Sequence, residues 1–192
     1  HPLLARGEPS TTPMDAYVAH TYHWAFESWK HAIWQEFTID GVRVGAPKFI
    51  ANTTESPNYP GPMDQREFLS IWNQAWFSSL RSATGVARWA RRNGDAVLEE
   101  KAELTKAFAL AAPMRDGLFP SVYRTAMERV EVQGVRVNRS KGWATGYWTN
   151  SNRVPRERGV TDGWHHILDA SFTALLMLRW NEEIAPDPKD YP

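Results

Sequence analysis

Asp162, His165, Asp169 and Thr173 recur at steps of three, four and four, a spacing that sets them along one face of a helix. An imidazole between two carboxyls is equipment for general acid–base chemistry. Asp169 matters most, because the sequence after Ile167 is almost entirely apolar. A carboxylate buried there costs several kcal/mol unless it is paired or hydrogen-bonded. Its candidate partners are His165 on the same helix and an arginine from another helix, Arg81. Arg81 itself belongs to a second polar edge, Gln74, Ser78, Arg81 and Gly85, at steps of four, three and four. The row around Asp169 is either an internal ion pair or one wall of a cleft with Asp162 and His165 at its mouth.

Hydrolysis of a glycosidic bond needs two carboxyls facing each other across it. Asp64, Glu67, Asp116, Glu157 and Asp162 stand in loops or at helix starts, with Asp169 deeper. Asp116 is equally explained as a turn former before Gly117. Ten tryptophans in 192 residues add binding capacity. Trp143 and Trp148 in GWATGYWTN, and Trp164 in TDGWHH, stand among polar residues, where a broad flat ring with one N–H donor suits a sugar. Trp72, Trp76, Trp89 and Trp180 fall in apolar helix patterns and read as packing, while Trp24, Trp29 and Trp34 fit either use. His20, His23, Glu27 and His31 have a spacing that can ligate zinc. Without HExxH or its inverse, and with aromatics interleaved, they read as a wet helix surface, and no metal is expected.

The composition bounds the rest. The chain is 42% hydrophobic and 23% charged, with 22 basic and 22 acidic residues. Zero net charge supplies no field for nucleic acid or anionic lipid, so neither is an expected partner. No apolar run is long enough to span a bilayer. The absence of cysteine excludes disulfides and thiolate chemistry. Residue 1 is His, so the numbering is expected to begin inside a longer product, with a secreted or periplasmic location favoured. Two Asn-x-Ser/Thr triplets, at Asn52 and Asn138, carry little weight alone.

The elements that would position these residues read as follows. Residues 1–13 form an extended lead-in, and Asp15 to about Gln35 a helix. Residues 36–49 alternate around Asp40-Gly41, a tight hairpin signal. Residues 51–63 hold three prolines and form a loop. Phe68, Trp72, Trp76, Leu80, Ala83, Ala87 and Ala90 recur at helical steps and predict one helix over 64–93. Gly94 stops it, Asp95 caps the next, and Pro113 ends that one, giving an antiparallel helical hairpin. Residues 128–150 alternate around Gly134 as a second β-hairpin, with a third strand at 143–149. A last helix runs from about Thr161 to Glu183, apolar nearly all round and therefore buried on most sides. Length predicts a single domain over 1–192, or a fragment of a larger one.

ALAAPMRDGLFPSVYR, WFSSLRSATGVARWARRNGD and DASFTALLMLRWNEE resemble the helical-hairpin units of the (α/α) toroid enzymes, a group of six-hairpin glycoside hydrolases and related polysaccharide lyases and epimerases. The resemblance covers residues 64–184. It implies a mainly α fold of antiparallel helical hairpins with small β-hairpin insertions. Four clear helices are too few for the dozen of a full toroid, so the ring would be incomplete. Its remainder, or a second chain, would then be a partner.

By the same resemblance, Asp162, Asp169 and Asp116 are the acidic candidates, with His165 beside them. Trp143, Trp148 and Trp164 are stacking platforms, and Arg81 is a binding residue. The expected function is a carbohydrate-active enzyme segment acting on an oligo- or polysaccharide, as a glycoside hydrolase with acid/base carboxylates and no cofactor. Two alternatives stay open. One is a polysaccharide lyase using His165, Tyr147 and Arg81, and the other is a non-catalytic carbohydrate-binding or structural part of a larger enzyme.

Overall fold

A computed structural model describes residues 13–48, 69–74, 78–150 and 165–184. Helix α1 (Met14–His23) runs into a π-helical turn (Trp24–Ser28) and the short α2 (Lys30–Ile33), which feeds β1 (Trp34–Ile39) and β2 (Val42–Pro47). After β3 (Ser70–Trp72) come α3 (Ser79–Asn93) and α4 (Ala96–Leu110). The chain continues through β4 (Val122–Arg124), β5 (Met127–Val132), β6 (Val135–Ser140), a 3₁₀ turn (Trp143–Thr145) and β7 (Tyr147–Thr149) to α5 (Ile167–Glu183).

The described residues are 51% helical and 25% strand, the strands lying in three small antiparallel sheets. This is a mixed α/β fold, and it overturns the mainly α incomplete toroid expected from the resemblance. The physical reason lies in two short segments. Ser70–Trp72 shares the helical spacing of its neighbours, yet it pairs with Val122–Arg124 in register Ser70↔Arg124 to Trp72↔Val122. β4 then pairs with β7, Val122↔Thr149 to Arg124↔Tyr147, which makes it the central strand of the sheet β3-β4-β7. The expected third strand at 143–149 therefore exists only as Tyr147–Thr149, and it joins β4 instead of extending the second hairpin.

Both predicted hairpins form. β1 pairs with β2 from Trp34↔Pro47 to Ile39↔Val42, and β5 with β6 from Met127↔Ser140 to Val132↔Val135. Asp40 (φ 48°) with Gly41 (φ 83°), and Gln133 (φ 51°) with Gly134 (φ 78°), supply the two left-handed residues that a type I′ turn requires. The first hairpin is no decoration. Val44 and Ala46 of β2 are fully buried and share an apolar cluster with Ile39, Ile71, Phe108 of α4 and Tyr123.

The α3–α4 hairpin follows from three consecutive residues. Gly94 adopts a left-handed conformation and Asp95 N–H donates back to Ala90 O at 2.9 Å, the closure of a Schellman motif. The Asp95 carboxylate then accepts from Val97 N at 3.1 Å and Leu98 N at 3.0 Å, capping α4. Leu80, Ala83, Ala87 and Ala90 of α3 pack with Leu98 and Ala102 of α4 and with Phe26 and Trp34. Helix α1 leans on this pair through Tyr22, set edge-on to Trp89 at 6.0 Å, and through an Arg92–Asp15 ion pair at 2.8 Å.

Helix α5 docks by a narrow stripe. Asp169, Thr173, Leu176 and Trp180 are buried at steps of four, three and four. Thr173 Oγ1 donates to Asn73 O at 3.0 Å, and Arg91 and Arg88 of α3 hold the far end through Ile184 O and Glu183. Ile167, Leu168, Leu175 and Leu178 are exposed. The apolar girth of this sequence therefore does not translate into burial on most sides, because among the described residues α3 and Asn73 meet only the buried stripe.

Candidate binding cleft

Three described segments meet around a cleft of about 120 Å³. The first is the connection leaving α4, which contributes Pro113, Arg115, Leu118 and Pro120. Two prolines bracket a tight turn in which Arg115 and Leu118 exchange backbone hydrogen bonds of 2.8 and 2.9 Å. Asp116 (φ 52°) and Gly117 (φ 76°) supply its left-handed corner, the same solution used by both hairpins. The second segment is β7, giving Trp148 and Thr149. The third is His165, just ahead of α5.

Local bonds fix these parts. Pro120 is followed by Ser121, whose N–H donates to Asn150 Oδ1 at 3.1 Å, tying the turn-bearing connection to the end of β7. The Trp148 ring stacks on Phe108 of α4, with centroids 5.1 Å apart and a 30° tilt, and meets Tyr123 edge-on at 5.0 Å. Its indole N–H is buried with no hydrogen-bond partner among the described residues. The His165 Nδ1 lies 3.2 Å from Phe119 O. A carbonyl only accepts, so this bond selects the tautomer with hydrogen on Nδ1 and leaves Nε2 of neutral His165 as an acceptor. The lining thus combines an aromatic wall, a guanidinium, an imidazole and a hydroxyl. Its volume is below the few hundred Å³ of drug-sized pockets, which suits one small ring.

Of the residues singled out in the sequence, Trp148 and His165 come together here. Asp116 sits at the exposed tip of the neighbouring turn and does not line the cleft. Trp143 is engaged elsewhere: its ring lies flat on Phe37 at 4.5 Å and 5°, and its N–H donates to Gln35 Oε1 at 2.8 Å. It ties the 3₁₀ turn to β1, which is a packing role. Arg81 is exposed on α3 and makes no described ion pair with Asp169. Asp162 and Trp164, with Glu157, lie outside the described residues.

The polar row on the last helix also changes. His165 precedes α5 and His166 is its N-cap, so only Asp169 and Thr173 of that row lie on described helix. Asp169 is buried, with 5% exposure, and the histidine facing it is His166, Nδ1 to Oδ2 3.9 Å, not His165. His20 and His23 of α1, Glu27 of the π-helical turn and His31 of α2 are all exposed. No group of three His, Cys, Asp or Glu among the described residues is placed to hold a metal ion. No described helix is long and apolar enough to cross a membrane.

Sequence reasoning missed Arg115 and Thr149. The Asp116-Gly117 turn was the available signal, since a type I′ corner projects the residues flanking it from one short ladder. No family model matches this sequence, and no curated protein or solved structure is significantly similar to it.

Proposed function

We propose that this chain binds carbohydrate and takes one sugar unit in the cleft formed by the Arg115–Leu118 turn, β7 and His165. The observation that carries this reading is the half-buried Trp148 ring walling a one-ring volume beside Arg115, Thr149 and His165. An indole face covers the apolar face of a pyranose, while hydroxyl, imidazole and guanidinium groups suit its rim. The described lining carries Arg115 and no carboxylate, which favours a sugar bearing an acidic group, because a guanidinium grips a carboxylate through paired hydrogen bonds.

Isothermal titration with a uronic acid oligosaccharide and its neutral counterpart tests this. The expected result is tighter binding of the acidic sugar, with Arg115→Ala removing the difference and Trp148→Ala weakening both. Equal affinity for the two sugars in the parent chain defeats the acidic specificity, and no binding of either defeats the whole reading.

Glycoside hydrolysis is the enzymatic form of the same proposal. One observation favours it: Asp162 precedes the lining residue His165 by three positions in sequence. On that reading Asp162→Asn abolishes release of reducing ends and leaves sugar affinity intact, while a chain that binds but never cleaves is a binding module.

A further inference from the structure

Trp24 and Trp29 are five residues apart, and on an α-helix that separation points two side chains about 140° from each other. Here the helix widens into a π-helical turn over Trp24–Ser28, closed by a 2.9 Å hydrogen bond from Trp29 N–H to Trp24 O. The wider turn brings the two rings into register, with centroids 4.5 Å apart and planes tilted by 34°. Single π-turns are rare and concentrate at functional sites. Among the described residues neither tryptophan belongs to the two apolar clusters, whereas their neighbours Ala25 and Phe26 do. Trp24 remains 41% exposed and Tyr17, two turns earlier, 46% exposed.

We propose that the Trp24–Trp29 pair is a second carbohydrate platform that holds a neutral polysaccharide chain, separate from the cleft. It rests on the carbohydrate reading above and extends it to a polymer. Trp29 backs one face of Trp24, which stiffens the indole without consuming its outer face. His20 and Glu27, both exposed, flank Trp24 one turn before and one turn after it and offer donors and acceptors to ring hydroxyls. Charge selects the occupant. The surroundings mix Glu27 and Lys30, and the chain as a whole is neutral. Phosphate-rich polymers and anionic lipid surfaces therefore gain no attraction here, while a neutral sugar chain loses none. The platform shares no residue with the cleft, so the two can be tested apart.

The experiment is a depletion assay of the full chain on microcrystalline cellulose, insoluble xylan and chitin, alongside titration of a soluble uronic acid oligosaccharide. Retention on at least one polymer is expected, about tenfold weaker in Trp24→Ala and in Trp29→Ala, with affinity for the soluble acidic sugar unchanged. Trp24→Tyr keeps a stacking face and retains most of the binding, which separates loss of the platform from loss of the fold. Arg115→Ala shows the reverse pattern, losing the soluble sugar and keeping the polymer. No retention on any of the three polymers, or full retention by both alanine variants, overturns the platform while leaving the cleft untouched. Capture by neutral phosphatidylcholine vesicles in place of polysaccharide overturns it as well, because the pair is then a membrane contact. Polymer retention without any binding of the soluble sugar supports the platform and removes the cleft instead.

Discussion

The Trp34 indole N–H donates to Glu36 Oε1 at 2.6 Å, across two residues of one strand. The other carboxylate oxygen takes Arg43 of β2 at 2.6 Å, and Arg43 reaches on to Glu100 of α4, also at 2.6 Å. One carboxylate thus joins a core indole to a surface chain of charges that spans the first hairpin and α4.

That arrangement makes stability acid-sensitive. The Trp34 hydrogen bond, with Arg43 and Lys101 nearby, holds the Glu36 carboxyl below its ordinary value of 4.5. A lowered folded value stabilises the protein at pH above 4.5 and loses that contribution as pH falls through the lower value. Glu36→Gln is expected to reduce stability by about 1 kcal/mol at neutral pH, chiefly through the charge-assisted indole bond. In urea titrations at several pH values, the gap between the two proteins closes below pH 4.5; a gap constant with pH refutes the assignment.

Thr173 supplies a hydrogen bond from α5 to Asn73, the residue that follows β3, and it is fully buried. Thr173→Val keeps the shape and strands the Asn73 carbonyl, so it is expected to cost about 1–3 kcal/mol. Thr173→Ser keeps the bond and loses a methyl, at about 1 kcal/mol. Chemical denaturation should rank valine as the more damaging substitution.

At Gly146 a methyl group would fall inside the Tyr123 ring, contacting Cε1, Cζ and the hydroxyl. Tyr123 cannot yield easily, packed as it is with Ile71 and Phe108 in a buried cluster. Gly146→Ala is expected to cost about 1–3 kcal/mol by overpacking. Added to Tyr123→Ala, the same change costs less than it does alone. Equal costs in both backgrounds would show that the methyl goes elsewhere.

Asp95 caps α4 through two backbone amides. Asp95→Ala should lower stability by about 1 kcal/mol, and Asp95→Asn by less, since the amide oxygen still accepts. Thermal melts followed by far-UV circular dichroism distinguish the two.

What could be read from the residues was whatever is decided locally. Asp40-Gly41 and Gln133-Gly134 fix their turns by the need for positive φ, and Asn93-Gly94-Asp95 carries its own stop and start. Pairings between distant segments left no such mark. Ser70-Ile71-Trp72 continues a helical spacing, and only the strand that meets it, some fifty residues later, makes it β. The site fared likewise. Trp148 and His165 were recognisable as ring and base, but Arg115 reaches the cleft through a turn whose position depends on Asn150 and Ser121. Trp143 looks identical to Trp148 in sequence, and only the presence of Phe37 beneath it assigns it to packing.

The sheet β3-β4-β7 has a kinetic consequence. Its Leu69 and Thr125 ends are bonded across 56 residues of chain, whereas both hairpins and the α3–α4 pair close over a few. Local elements form in microseconds, and a pairing that must first close a long loop follows more slowly. Strand β7 belongs to the same sheet through β4, so the wall bearing Trp148 is completed with these slower pairings and not with the local elements. A chain arrested before that step would carry its hairpins and most of its helices, and would lack the Trp148 side of the cleft.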